Sequence, residues 1–160
     1  MFSTATSNLQ VSSLTQVITH ALLSKWGYDA FYSHTKSVSE FYGQKRDIFE
    51  AAMKRHLEGL AEWQRPEAGM FFWFKLLVPD SKASANTDAA GASEPDSKAL
   101  IEGAAYANGV LALPGTVFLP NGGKSGYVRA SFSLLTEEQV EEALKRLGRT
   151  IREQQGDTQA

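Results

Sequence analysis

The side chain in this sequence best suited to gripping a ligand is Arg129, in the middle of the alternating run YVRASFS at 127–133. A guanidinium is planar and permanently charged, and its N–H donors form a fixed fork that holds a carboxylate or phosphate through two parallel hydrogen bonds. The same residue type also serves as one arm of a surface salt bridge, which contributes little. Composition alone favours that plainer use. Other chemistries find weaker support. SHTK at 33–36, YAN at 106–108 and KSG at 124–126 match, in order, the three boxes of serine enzymes of the β-lactamase type. Ser33, however, falls inside a long helical pattern, and the spacing is compressed. GGKS at 122–125 resembles the end of a phosphate loop, but the position that should be its first glycine is Phe118. No two of His20, His34 and His56 have the i, i+4 spacing of a helical metal site and no carboxylate box accompanies them, so they read as ordinary helix residues. The chain has no cysteine, so disulfides, thiolate zinc sites and thiol catalysis are excluded.

The elements that must carry Arg129 can be read from periodicity. Leu14, Val17, Ile18, Ala21 and Leu22 are spaced as one helix face, which Gly27 ends. From Tyr28 to about Leu57 the pattern predicts one long helix. Its stripe is Phe31, Val38, Phe41, Tyr42, Ile48, Phe49, Ala52 and Met53, its outward charges are Lys45, Arg46, Glu50 and Lys54, and Gly43 is a weak point where a kink or close packing is expected. LAEW before Pro66 predicts a short strand. GMFFWFKLLV at 69–78 predicts a strand so apolar that cover is expected on both faces, with Phe71 to Phe74 mostly core. The Ser-, Ala- and Asp-rich stretch at 79–97 buries too little apolar surface to order itself and is expected to be a disordered insertion. Asp96 or Ser97 should cap a helix to about Asn108. A strand ending in Pro114-Gly115, a turn at NGGKSG and the Arg129 strand follow. Thr136 and Gln139 spell a capping box for a final helix with Val140, Leu144, Leu147 and Ile151 buried. This order of elements predicts an α/β (α+β) layer, helices packed on a small sheet.

Bulk properties narrow the function classes. The chain has 160 residues, 42% of them hydrophobic, with a formal net charge of −2. That balance fits one globular domain and gives no basic surface for nucleic acid or membrane. No apolar run reaches a spanning length, and the first residues lack the pattern of a leader.

Taken together in this order, FYGQKRD, GLAEWQRPEAGMFFWFKL, GVLALPGTVF, YVRASFS and an acidic amphipathic helix resemble the carboxy-terminal portion of class I/II pyridoxal-phosphate (PLP) aminotransferases of fold type I. The kynurenine/2-aminoadipate and aromatic-amino-acid branch is nearest. The resemblance runs from about residue 10 to residue 153 and is broken by the insertion. It implies PLP-dependent transfer of an amino group between an aromatic or 2-aminoadipate-type amino acid and a 2-oxo acid. It further implies a homodimer and a cytoplasmic or mitochondrial setting. It places the substrate α-carboxylate on Arg129 and makes Phe71 a wall of the substrate pocket. It implies that residues 1–58 are the end of the large domain with the long inter-domain helix, 59–155 the small domain, and 156–160 a tail. The family also needs a lysine that forms a Schiff base with the cofactor, and none of the nine lysines here has that motif context. The chain by itself is therefore expected to be a fragment without catalytic residues or a cofactor site. The alternative is a non-catalytic binding or regulatory module derived from the small domain.

Overall fold

The computed structural model describes residues 12–77 and 96–156. Most of the expected insertion, the first residues and the last four lie outside the described residues. The elements are helix α1 (Ser13–Leu57), strands β1 (Ala61–Trp63) and β2 (Phe71–Leu76), helix α2 (Ser97–Ala99) running on as a π-helical segment (Leu100–Ala105), strand β3 (Leu113–Pro114), a 3-10 turn (Gly115–Phe118), strand β4 (Tyr127–Ser131) and helix α3 (Glu137–Gln154). They form two compact units, Met1–Phe41 and Tyr42–Ala160, and α1 contributes to both.

In the first unit the helix breaks where the sequence indicates. Gly27 takes φ 66° and ψ −179°, a conformation that only glycine adopts without strain. Gly43, the expected weak point, lies just inside the second unit and is neither kinked nor closely packed: a Cβ added there would meet nothing within 4 Å. The apolar face of Leu14, Val17, Ile18 and Leu22 is present but exposed. Ser33 lies mid-helix and Lys36 pairs with Glu40 at 3.8 Å, so neither is arranged as a serine enzyme requires.

The second unit is a four-stranded antiparallel sheet in the order β1-β2-β4-β3. Its inner face presents Phe72, Phe74, Leu76 and Val128. These join Phe49, Ala52, Met53 and Leu57 of α1, Leu100, Ile101 and Ala105 of the π-helical segment, and Val140, Leu144, Leu147 and Ile151 of α3 in one buried core. The expected stripe of α3 is thus the observed one. Rings order the centre: Phe72 stacks on Phe49 at 5.1 Å and meets Phe132 edge-on at 5.7 Å. The expected cover on both faces of β2 is not found among the described residues. Burial alternates along the strand, and Phe71 and Trp73 stay 40% and 42% exposed. Among the described residues of this unit the helices pack on one side, so the period-two pleat divides an all-apolar run between a core and an open face. The strand is also shorter than 69–78, because Gly69, at φ 89°, belongs to the preceding turn.

Two of the charges expected to face away from the core do other work. Lys45 donates to the Leu135 carbonyl at 2.8 Å, and Glu50 is buried between Lys54 and Arg65. The π-helical segment replaces most of the ordinary helix expected up to Asn108. Asp96 caps the start of α2 by accepting from the Lys98 N–H at 3.0 Å, and Gly109, at φ 76°, lies in the turn after the helical stretch. At the crossing of α1 and α3, Gly148 lies so close that an added Cβ would stand 2.5 Å from the His56 carbonyl oxygen.

The capping box forms as the sequence spells it. Thr136 Oγ1 accepts from the Gln139 N–H at 3.3 Å, and Gln139 Oε1 accepts from the Thr136 N–H at 2.9 Å. Thr136→Ala leaves the Gln139 N–H to water and should cost about 1 kcal/mol, read as a lower urea midpoint at unchanged slope.

A second tie joins α3 to α1. Glu141 accepts from Arg55 at 2.6 and 3.2 Å and lies 2.6 Å from His56 Nε2. The hydrogen bond from Arg55, then that from His56, lowers the Glu141 carboxyl from 4.5 to about 2. A carboxylate held below its unfolded value stabilises the fold above the unfolded pKa and loses that contribution as pH falls through the folded one. Stability should therefore decline between pH 4.5 and about 2, and Glu141→Gln should flatten that part of the thermal midpoint against pH. An unaltered slope in the variant would show that Glu141 is not the group responsible.

Candidate functional site

The open face of the sheet is built by alternation. Phe71, Trp73 and Lys75 point outward from β2, and Tyr127, Arg129 and Ser131 do so from β4, because their neighbours Phe72, Phe74 and Val128 are buried. Register sets Arg129 between Trp73 on β2 and Leu113 on β3. A strand with partners on both sides has little freedom, so the base of this arginine is fixed.

Its head is fixed by rings. The Cζ atom lies 4.3 Å from the centroid of Phe71 and 4.6 Å from that of Phe118. The quadrupole of each ring attracts the cation and restricts its motion. Among the described residues no carboxylate pairs with Arg129, although the side chain is half-buried. The surface salt bridge that composition favours is therefore not made among those residues. What remains is a positioned fork of N–H donors, the arrangement a carboxylate or phosphate ligand requires.

The structure brings Phe71 and Arg129 into direct contact, and it adds residues that the sequence reading did not single out. Phe118 is carried over β4 by the 3-10 turn after Pro114. The turn can pass there because position 115 is glycine: a Cβ would stand 2.5 Å from Ser125 Oγ and 2.9 Å from the Tyr127 carbonyl. Trp73 meets Phe118 edge-on at 5.5 Å and stacks on Tyr127 at 5.3 Å, with Lys75 Nζ 6.0 Å above the Tyr127 ring. Alternation could have found Trp73, Lys75 and Tyr127, since each is two or four residues from Phe71 or Arg129 along its strand. Phe118 belongs to no periodic element, and nothing in its spacing marks it.

The edge of β4 is pinned from behind. Ser97 is fully buried; its N–H donates to the Ser125 carbonyl at 2.8 Å and its hydroxyl to the Tyr127 carbonyl at 2.7 Å, while the Tyr127 N–H donates to Ser125 Oγ at 3.2 Å. These bonds hold the strand two residues before Arg129. The other candidate residues are engaged elsewhere. His56 lies against Glu141, His34 against Trp26 at 5.1 Å, and Asn108 donates to Thr150 at 2.8 Å. Among the described residues no group of His, Asp and Glu could hold a metal ion, and no helix is long and apolar enough to cross a membrane.

No family model matches the chain. Curated proteins do. It is 40% identical over 140 residues to the aminotransferase tdiD of Emericella nidulans, which covers 88% of this chain and 29% of that protein. It is 37% identical over 151 residues to the mitochondrial kynurenine/alpha-aminoadipate aminotransferase of Mus musculus, covering 94% of this chain and 32% of that protein. Among solved structures, an alpha-aminoadipate aminotransferase of Thermus thermophilus, complexed with N-(5'-phosphopyridoxyl)-L-leucine, superposes with a TM-score of 0.69 at 25% identity. That match takes in 94% of this chain and 33% of the other. A multiple substrate aminotransferase of Thermococcus profundus follows with a TM-score of 0.65 at 28% identity, covering 82% of this chain and 29% of its own. The chain thus spans about three tenths of the length of the curated relatives it matches.

Proposed function

The chain belongs to the PLP-dependent aminotransferases of fold type I, matching their carboxy-terminal portion, and from that premise we propose that it supplies the substrate-carboxylate grip of an enzyme moving an amino group between an aromatic or 2-aminoadipate-type amino acid and a 2-oxo acid. The observation that carries this reading is Arg129, a ring-held cation without a carboxylate partner among the described residues. Amino acid and 2-oxo acid alike bring an α-carboxylate, so one fork serves both halves of such an exchange. Phe71 and Phe118 hold the guanidinium in place and exclude water from one side of it.

The relatives' cofactor needs an amine for its aldehyde, a carboxylate at its ring nitrogen and a set of donors for its phosphate. The described residues around Arg129 do not fit it alone. The nearest contacts of the guanidinium are two phenyl rings, with no lysine amine or carboxylate among them. The part played by this chain is accordingly to bind and orient the substrate acid. In this reading residues 1–58 are the end of a large domain with its connecting helix and residues 59–155 the small domain, within a homodimer, in a cytoplasmic or mitochondrial setting.

Two titrations of the purified chain test the proposal. Phenylpyruvate, a 2-oxo acid with an aromatic side chain, should bind saturably and shift the Arg129 side-chain resonance; no saturation would overturn the grip. PLP with borohydride, followed by peptide mapping, should label no single lysine stoichiometrically. One uniquely labelled lysine would show a complete cofactor site within this chain.

A further inference from the structure

Beside the arginine, the same sheet face holds a second feature. A hollow of about 470 Å³ is lined by Glu62, Trp63, Gln64, Trp73, Lys75 and Tyr127. That volume lies in the range of about 300–1,000 Å³ typical of small-molecule sites. Glu62 and Lys75 are direct cross-strand partners in the β1–β2 register. Opposite charges so placed ordinarily close on each other. Here, among the described residues, no ion pair joins them, and Lys75 Nζ leans over the Tyr127 ring at 6.0 Å. An anion and a cation therefore border one hollow without neutralising each other. The floor beside them is aromatic: Trp73 and Tyr127 lie nearly parallel, at 10°, and stay 42% and 36% exposed.

We propose that this hollow is a binding site, separate from the Arg129 grip, for a free α-amino acid with an aromatic side chain. The ligand's ammonium meets Glu62, its carboxylate meets Lys75, and its ring lies against Trp73. Such a zwitterion is the smallest ligand that satisfies both unpaired charges while covering the exposed rings. A purely acidic ligand would face Glu62, and a purely basic one Lys75, at a cost in each case. The site would let amino-acid concentration act on the sheet that carries Arg129 without occupying that residue.

The test uses L-phenylalanine on the full chain carrying Arg129→Ala, so that the other carboxylate site is removed, with chemical shifts of the Trp73 indole as the readout. Saturable binding is expected, weakened about tenfold or more by either Glu62→Gln or Lys75→Met, each of which removes one charged hydrogen bond. N-acetyl-L-phenylalanine and L-phenylalanine methyl ester, each lacking one charge, should weaken by a similar factor. Absence of saturation in the Arg129→Ala chain overturns the proposal. So does binding that survives both charge removals, or an analogue that binds as tightly as the parent. Because the grip is absent from this chain, failure here leaves the phenylpyruvate result on the unaltered chain intact, and the two readings fall separately.

Discussion

Arg129→Ala should abolish saturable binding of phenylpyruvate, and Arg129→Lys should weaken it about tenfold to a hundredfold. A charge-assisted bond contributes about 1.5–3 kcal/mol, and the fork makes two of them in fixed geometry. Lysine keeps the charge but presents a single mobile ammonium, so the second bond and the ring-held orientation go together. The position faces outward from β4, so neither variant should lower the thermal midpoint by more than a few degrees. Titration by nuclear magnetic resonance, with the midpoint measured on the same samples, separates lost binding from lost folding. Unchanged affinity in Arg129→Ala would move the carboxylate to Lys75, the other cation of that face, and remove the main support for the aminotransferase reading.

The second large effect comes from two adjacent phenylalanines. Phe72→Ala empties a fully buried site between Phe49 and Phe132, and loss of a core phenylalanine costs about 3–5 kcal/mol. Against a total stability of about 5–15 kcal/mol, that removes between about a fifth and all of it. Phe71→Ala, one residue earlier, removes a 40% exposed ring and should change stability by no more than about 1 kcal/mol. Its effect falls on the ligand instead, because the guanidinium loses one of its two rings, and phenylpyruvate affinity should drop several-fold. Urea unfolding and the same titration measure both. Equal losses of stability in the two variants would contradict the one-sided core.

This pair also shows what the sequence could reveal. The run GMFFWFKLLV announces a strand, and its uniform apolarity argues for burial on both sides. Hydrophobicity says which residues avoid water and not what covers them; the helices cover one face, and only the pleat decides which rings they meet. The capping box at Thr136 and the stop at Gly27 were legible because each is a local signal, complete within a few residues. Arg129 stood out for the same reason, as a charge in the middle of an alternating strand. Its neighbours were harder to read. Phe118 reaches the site through a turn whose path depends on the close approach of Gly115 to β4, a contact made across twelve residues of chain. The π-helical geometry of Leu100–Ala105 has no sequence signature that separates it from an ordinary helix.

The crossing of α1 and α3 at Gly148 has a bearing on how variants of this protein would be interpreted. The oxygen facing the absent side chain belongs to backbone, so no rotamer change can make room for even a methyl group. Gly148→Ala would have to separate the helices or slide one along the other, disturbing the core that backs β2 and β4. In a saturation screen scored on ligand binding, position 148 should rank beside Arg129 as intolerant, although it touches no ligand. Soluble yield scored in parallel tells the two apart: it falls at 148 and holds at 129.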